Sequence, residues 1–204
     1  MASRSSTPAD EFARRLSSSE RTRKEVEKLF LRDELTLRAT EHVYGAIFLS
    51  TVTSFERLLE DLFLGLLANR LRPRSNIRPR ITFRSALVAR DVVSGGKPYL
   101  SWFPYEWTEK RAQAFFTGGR PFTFLNAADK TFLHDLITIR NAVAHQSSHA
   151  MRKFEKRLIS GTPLLPRERT PVGYLRSILR TGPVQTRYEQ IAGECARVVY
   201  RLCG

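Results

Sequence analysis

The chain is 204 residues long, 42% hydrophobic and 26% charged, the balance of a folded protein rather than of a collagen, a low-complexity polymer or a disulfide scaffold. Its 34 Lys and Arg against 20 Asp and Glu leave a net charge of +14, which makes a polyanion the expected partner, with nucleic acid ahead of an anionic membrane surface. Arginine supplies 27 of those 34 cations, and its planar fork suits phosphate contacts better than an ammonium does.

Residues 1–9 read as a frayed tail, and a weakly amphipathic outer helix is expected from Asp10 to about Leu37. Charges nearly balance there, with nine basic and seven acidic residues over positions 1–40. Tail and outer helix together make up 1–39, and 40–204 is read as the main helical domain. The first fifteen residues lack the apolar stretch of a secretory signal, and no apolar run approaches the roughly 18 residues of a membrane span. A cytoplasmic protein without a membrane partner is therefore expected.

The clearest helix follows, because Phe48, Val52, Phe55, Leu59, Leu62 and Leu66 recur at steps of four and three. Such a seam packs lengthwise on another helix, and it should end near Leu71. Residues 70–90 then carry seven Arg and no acid, with Pro73 and Pro79 early in the run. An exposed basic loop followed by a short helix is predicted. Arg70, Arg72, Arg74, Arg78, Arg80 and Arg84 are its candidate RNA-binding residues, although a merely solvated loop is an equal alternative.

Gly95, Gly96 and Lys97 lack the spacing of a phosphate-binding P-loop and read as a turn. The aromatics that follow, Tyr99, Trp102, Phe103, Tyr105 and Trp107, are expected in the core rather than stacked on bases. A short helix is predicted from Thr108, as N-cap, to Phe116, with Gly118 and Gly119 ending it. Asn126 should cap a helix reaching His145, and another should cover 150–159. Three prolines make 161–171 a linker. The last helix, about Gln185 to Leu202, repeats its seam at Tyr188, Ile191, Cys195, Val198 and Leu202. Cys195 and Cys203 match no metal or redox spacing and read as reduced. With no strand alternation and no internal repeat, the expected architecture is an all-α bundle with a long basic, aromatic-containing insertion at about 70–106.

Common catalytic frames are missing from the sequence: there is no nucleophile elbow, no paired-histidine zinc helix and no dinucleotide fingerprint. Glu56 and Glu60, one helical turn apart, could hold a metal, but charge pairing is the stronger expectation. What remains is Arg140-Asn141-Ala142-Val143-Ala144-His145. At about 100° per residue, His134, Thr138, Asn141 and His145 form one polar stripe, while Arg140 follows Leu133, Leu136 and Ile137 on the apolar face. A guanidinium there requires a carboxylate, a symmetry mate or a phosphate. An Arg five places before a His arises by chance about 0.5 times in such a composition, and an adjacent Asn lowers this to about 0.01. The local context is thus informative where the bare spacing is not.

An apolar helix ending in IRNAVAH resembles the Arg-Asn-x-x-x-His signature of the HEPN superfamily, helical bundles that include many metal-independent RNases. SFERLLEDL at 54–62, PFTFLNAADKTFLHDLITIRNAVAHQS at 121–147 and TPVGYLRSI at 170–178 are similar to its RiboL-PSP-HEPN branch. The likeness covers about 40–203, in order, apart from the Arg-rich stretch 70–90, which has no counterpart there. It implies a HEPN-type fold and a homodimer whose signature helices meet in one composite site. Arg140 and His145 would be the catalytic pair, Asn141 their polar companion and Glu56 a weaker contributor, with no cofactor and no metal. The resemblance also implies RNA as substrate, a toxin-antitoxin or antiviral defence setting, and an inhibitory antitoxin or partner defence protein. The alternative is a catalytically silent module of the same kind that dimerises and binds RNA or protein.

Overall fold

The computed structural model describes residues 7–71 and 77–204. Among them the chain forms eight α-helices and no strand: α1 (Pro8–Leu31), α2 (Leu37–Leu67), α3 (Ala86–Ser94), α4 (Tyr105–Phe115), α5 (Ala127–His145), α6 (Ser148–Phe154), α7 (Pro171–Arg176) and α8 (Arg187–Cys203). The protein is all-α. Among the described residues no helix is long and apolar enough to cross a membrane.

Both expected seams are buried along their length. On α2 the residues Phe48, Val52, Phe55, Leu59, Leu62 and Leu66 are inside, as are Tyr188, Ile191, Cys195, Val198 and Leu202 on α8. Cys195 and Cys203 are free thiols, and burial pushes the Cys195 thiol well above its ordinary value.

Helix boundaries differ from expectation where local chemistry decides them. The first helix stops at Leu31, because Asp33 takes the left-handed region at φ 58° and the Glu34 N–H turns back to the Leu29 carbonyl at 2.9 Å. α4 starts at Tyr105 rather than after Thr108: Pro104 holds the cap position, and the Thr108 hydroxyl, fully buried, donates to the Trp102 carbonyl at 2.6 Å. The stretch 150–159 is α-helical only to Phe154 and continues as one wider π turn through Ile159. Asn126 does cap α5, its side-chain oxygen accepting from the Asp129 N–H at 2.9 Å while the Asp129 carboxylate accepts from the Asn126 N–H at 3.0 Å. The two form a reciprocal box.

The described residues form two units, one of 7–12, 55–71, 77–133 and 197–204 and the other of 13–54 and 134–196. The core of the first is aromatic. Phe63 meets Trp102, Phe116 and Phe122 at ring-centroid distances of 5.3, 5.0 and 5.1 Å, and Phe55 stacks on Phe103. Trp102, Phe103 and Tyr105 are therefore core residues as expected, whereas Tyr99 and Trp107 are exposed. Glu60 accepts from the Trp102 indole N–H at 3.2 Å and pairs with Arg90 at 3.4 Å, which gives that carboxylate the pairing role.

In the second unit a polar network runs through the packing. Arg23, only 4% exposed, pairs with Glu189, reaches Glu20 at 3.2 Å and donates to the Tyr44 hydroxyl at 3.2 Å. Arg176 grips Glu27 with two bonds of 3.0 and 3.1 Å and lies over the Phe30 ring. The Tyr188 hydroxyl meets that of Thr51 at 2.9 Å, and burial pushes its pKa up to about 12. Gly45 of α2 faces Val143 of α5 and Val172 of α7, where an added Cβ would lie 3.5 and 3.6 Å from their methyls.

Candidate functional site at the end of helix α5

Helix α5 is tied down at its start by Asp129. This carboxylate is fully buried and accepts from Arg197 at 3.0 Å and Arg201 at 2.8 Å. Leu133, Leu136, Ile139 and Ala142 bury the apolar stripe of the helix. Thr138 is buried and spends its hydroxyl on the His134 carbonyl of its own helix at 2.8 Å, while Asp135 pairs with Arg157. Two members of the expected polar stripe therefore do different things: Thr138 is satisfied internally, and His134 faces solvent.

The last turn carries Arg140, Asn141 and His145. Arg140 is not left on the apolar face, because its long stem lets the guanidinium swing round toward the polar side. Its Nη1 donates to Asn141 Oδ1 at 3.0 Å and lies 3.2 Å from His145 Nε2. Among the described residues these are its partners, and neither is a carboxylate. An amide and an imidazole thus stand where a carboxylate was one expected partner.

This geometry fixes a tautomer. A guanidinium has only N–H donors, so its bond to Nε2 requires the imidazole lone pair on that atom and the proton on Nδ1. His145 is exposed and Arg140 and Asn141 are half-buried, so all three groups are open to a ligand. Helix α5 ends here. Gln146 takes the left-handed region at φ 47°, and Ser147 caps the next helix through a bond from the Ala150 N–H. A bound cation-and-base pair at a helix C-terminus also satisfies the negative end of the helix dipole.

Glu56 is half-buried on α2, in the first unit. Of the candidate RNA-binding residues, Arg70, Arg78, Arg80 and Arg84 are exposed, and Arg72 and Arg74 lie outside the described residues. The segment that carries Arg78 to Arg84 is held by backbone bonds. The Arg80 N–H donates to the Phe115 carbonyl at 2.8 Å, the Thr117 N–H to Arg78 at 2.9 Å and the Phe83 N–H to Leu67 at 2.8 Å. Pinning of this kind had no signal in the sequence, and neither did the pairings of Arg23 with Glu189 and of Arg176 with Glu27, 166 and 149 residues apart. Among the described residues no three His, Cys, Asp or Glu side chains gather as a metal-ligating group.

Comparison with known proteins gives no match to a family model, to a curated protein or to a solved structure. Fold and site together define an all-α protein with an Arg-Asn-His cluster closing its fifth helix.

Proposed function

We propose that this chain is a HEPN-type endoribonuclease that cuts RNA without a metal, at a site completed when the α5 helices of two copies meet. The observation that carries this reading is the contact of Arg140 Nη1 with both Asn141 Oδ1 and His145 Nε2. It puts a phosphate-binding cation beside a nitrogen whose electron pair can take a proton once the cation turns to a phosphate. In the reaction, His145 Nε2 takes the proton of a ribose 2′-hydroxyl, the oxygen attacks the adjacent phosphorus, and the 5′-oxygen leaves with a proton from an imidazolium. Arg140 balances the charge that grows on the phosphorane. A scissile phosphate draws the guanidinium to itself and so releases the lone pair that Arg140 otherwise engages. Asn141 positions Arg140, and Glu56 is a secondary contributor. A setting in toxin-antitoxin pairing or antiviral defence belongs to the same proposal.

The test is cleavage of mixed RNA by purified protein in EDTA. Products should end in 2′,3′-cyclic phosphates, and a 2′-deoxy substitution at the scissile nucleotide should block cutting. Cleavage of the deoxy substrate, or its loss in EDTA, overturns the mechanism. A strict monomer by light scattering that still cuts removes the composite site. The second reading, a silent dimerising and binding module, is favoured by one observation, that the lone pair of Nε2 is occupied within the protomer. RNA binding with no cleavage selects it.

A further inference from the structure

Twelve large apolar side chains are exposed among the described residues, and six of them, Ile81, Leu87, Val88, Val92, Tyr99 and Trp107, fall within positions 81–107. Soluble proteins scatter such residues singly, whereas here half of those exposed lie in one stretch of chain. Helix α3 is its centre. The helix is well made at both ends, with the Ser85 hydroxyl accepting from the Val88 N–H and Gly95 in the left-handed region closing the last turn. At about 100° per residue its inner side holds Ala86, Ala89 and Val93, and its outer side holds Leu87, Val88, Asp91 and Val92. Exposures of 68% for Leu87, 46% for Val88 and 51% for Val92 agree with that division. A capped nine-residue helix thus turns three aliphatic side chains outward.

The charges that flank α3 in the sequence say what covers them. Residues 77–100 carry five cations, Arg78, Arg80, Arg84, Arg90 and Lys97, against the single acid Asp91. Arg90 pairs with Glu60 and Arg80 reaches the Phe116 carbonyl, whereas Arg78, Arg84 and Lys97 have no side-chain partner among the described residues. We propose that the outer face of α3 docks an acidic protein segment that brings its own apolar stripe to Leu87, Val88 and Val92 and its carboxylates to Arg78, Arg84 and Lys97. Three other occupants fit less well. Nucleic acid would contact the arginines and leave three aliphatic side chains in water, since bases stack on aromatic and guanidinium planes. An anionic bilayer would have to take the Asp91 carboxylate, which sits between Leu87 and Val88 on the helical wheel, in among its own phosphates. A second copy docked on this face would set its Arg and Lys residues against their own counterparts, with Asp91 the single acid of residues 77–100 to offset them.

The proposal is independent of the nuclease reading, and its test does not use activity. The probe is a fluorescent 20-residue peptide of Leu and Glu arranged so that Leu forms one helical stripe, titrated by anisotropy. Two relatives serve as controls, one with Ser for Leu and one with Lys for Glu. Saturable binding below about 0.1 mM is expected for the Leu/Glu peptide alone. The double substitution L87S/V92S removes exposed side chains and should leave the melting temperature unchanged while weakening that binding at least about tenfold. R84E/K97E should weaken it as much and reduce its dependence on salt. Binding of single-stranded RNA should be the same for L87S/V92S and the parent. No saturable binding of the peptide, or equal binding by parent and L87S/V92S, overturns the proposal. So does a loss of RNA binding in L87S/V92S, or its release from vesicles of 3:1 phosphatidylcholine and phosphatidylglycerol when the peptide does not bind.

Discussion

Arg23 and Arg140 are both helical arginines of the second unit, and they are held in opposite ways. Arg23 is buried among Glu20, Glu189 and the Tyr44 hydroxyl, and although burial works against its charge, the bonds to Glu20 and Tyr44 outweigh it and keep the guanidinium firmly protonated. Arg140 is half-exposed and rests on an amide oxygen and an imidazole nitrogen. A guanidinium whose neighbours are carboxylates is already neutralised and serves the fold. One whose neighbours are neutral keeps its charge for something else. Net charge alone cannot separate the two kinds of arginine; the partner can.

Substitution should split them most sharply. Arg23→Ala leaves Glu189 and Glu20 without their cation and is expected to cost about 3 kcal/mol in urea unfolding, the scale for breaking one side of a buried pair. Arg140→Ala should stay within about 0.5 kcal/mol. Equal losses at the two sites would mean that the cluster on α5 is structural. In the cleavage assay the order reverses: His145→Ala and Arg140→Ala should each slow cutting by about 100-fold or more with the melting temperature intact, and Glu56→Gln should do less. An Arg23 variant that still folds should cut normally.

A smaller effect separates both from the pinned basic segment. If Arg78 and Arg84 contact RNA, replacing both with Ser should reduce the slope of log affinity against log salt by about 1.4 on single strands. An unchanged slope means that the RNA contact lies elsewhere.

The weakest effect concerns the buried network through pH. Burial would raise the Glu27 carboxyl, but bonds from Arg176 and Tyr44 outweigh it and hold its pKa below the ordinary value. A depressed carboxyl contributes stability that is complete above its unfolded value of about 4.3 and is lost as pH falls through the folded one. Urea midpoints should therefore fall below about pH 4.3, and Glu27→Gln should flatten that limb of the curve. A parallel decline in the variant would assign acid sensitivity to other carboxylates.

The helical class, both apolar seams and the Asn126 cap were legible because each is written in spacings of three and four residues. The short-range part of the site was legible too, since Arg140, Asn141 and His145 share one turn and a half of α5. Where the guanidinium points was not, because a side chain with four rotatable bonds can leave the face on which its Cα sits. The break at Asp33 and the start of α4 were missed for a similar reason. A left-handed Asp and a buried Thr108 that bonds to Trp102 are set by surroundings, not by periodicity. The networks at Arg23 and Arg176 join positions too distant for any local pattern to record.

The bonds from Phe83 to Leu67 and from Arg80 to Phe115 bear on how an anion would be received. Arginines on a loose arm lose chain entropy when a ligand gathers them. Those carried by a backbone already tied to the ends of α2 and α4 have given up that freedom during folding. The cations at 78, 80 and 84 are therefore presented as a standing array, and an anion that meets them sheds its counterions without having to fold the segment that binds it.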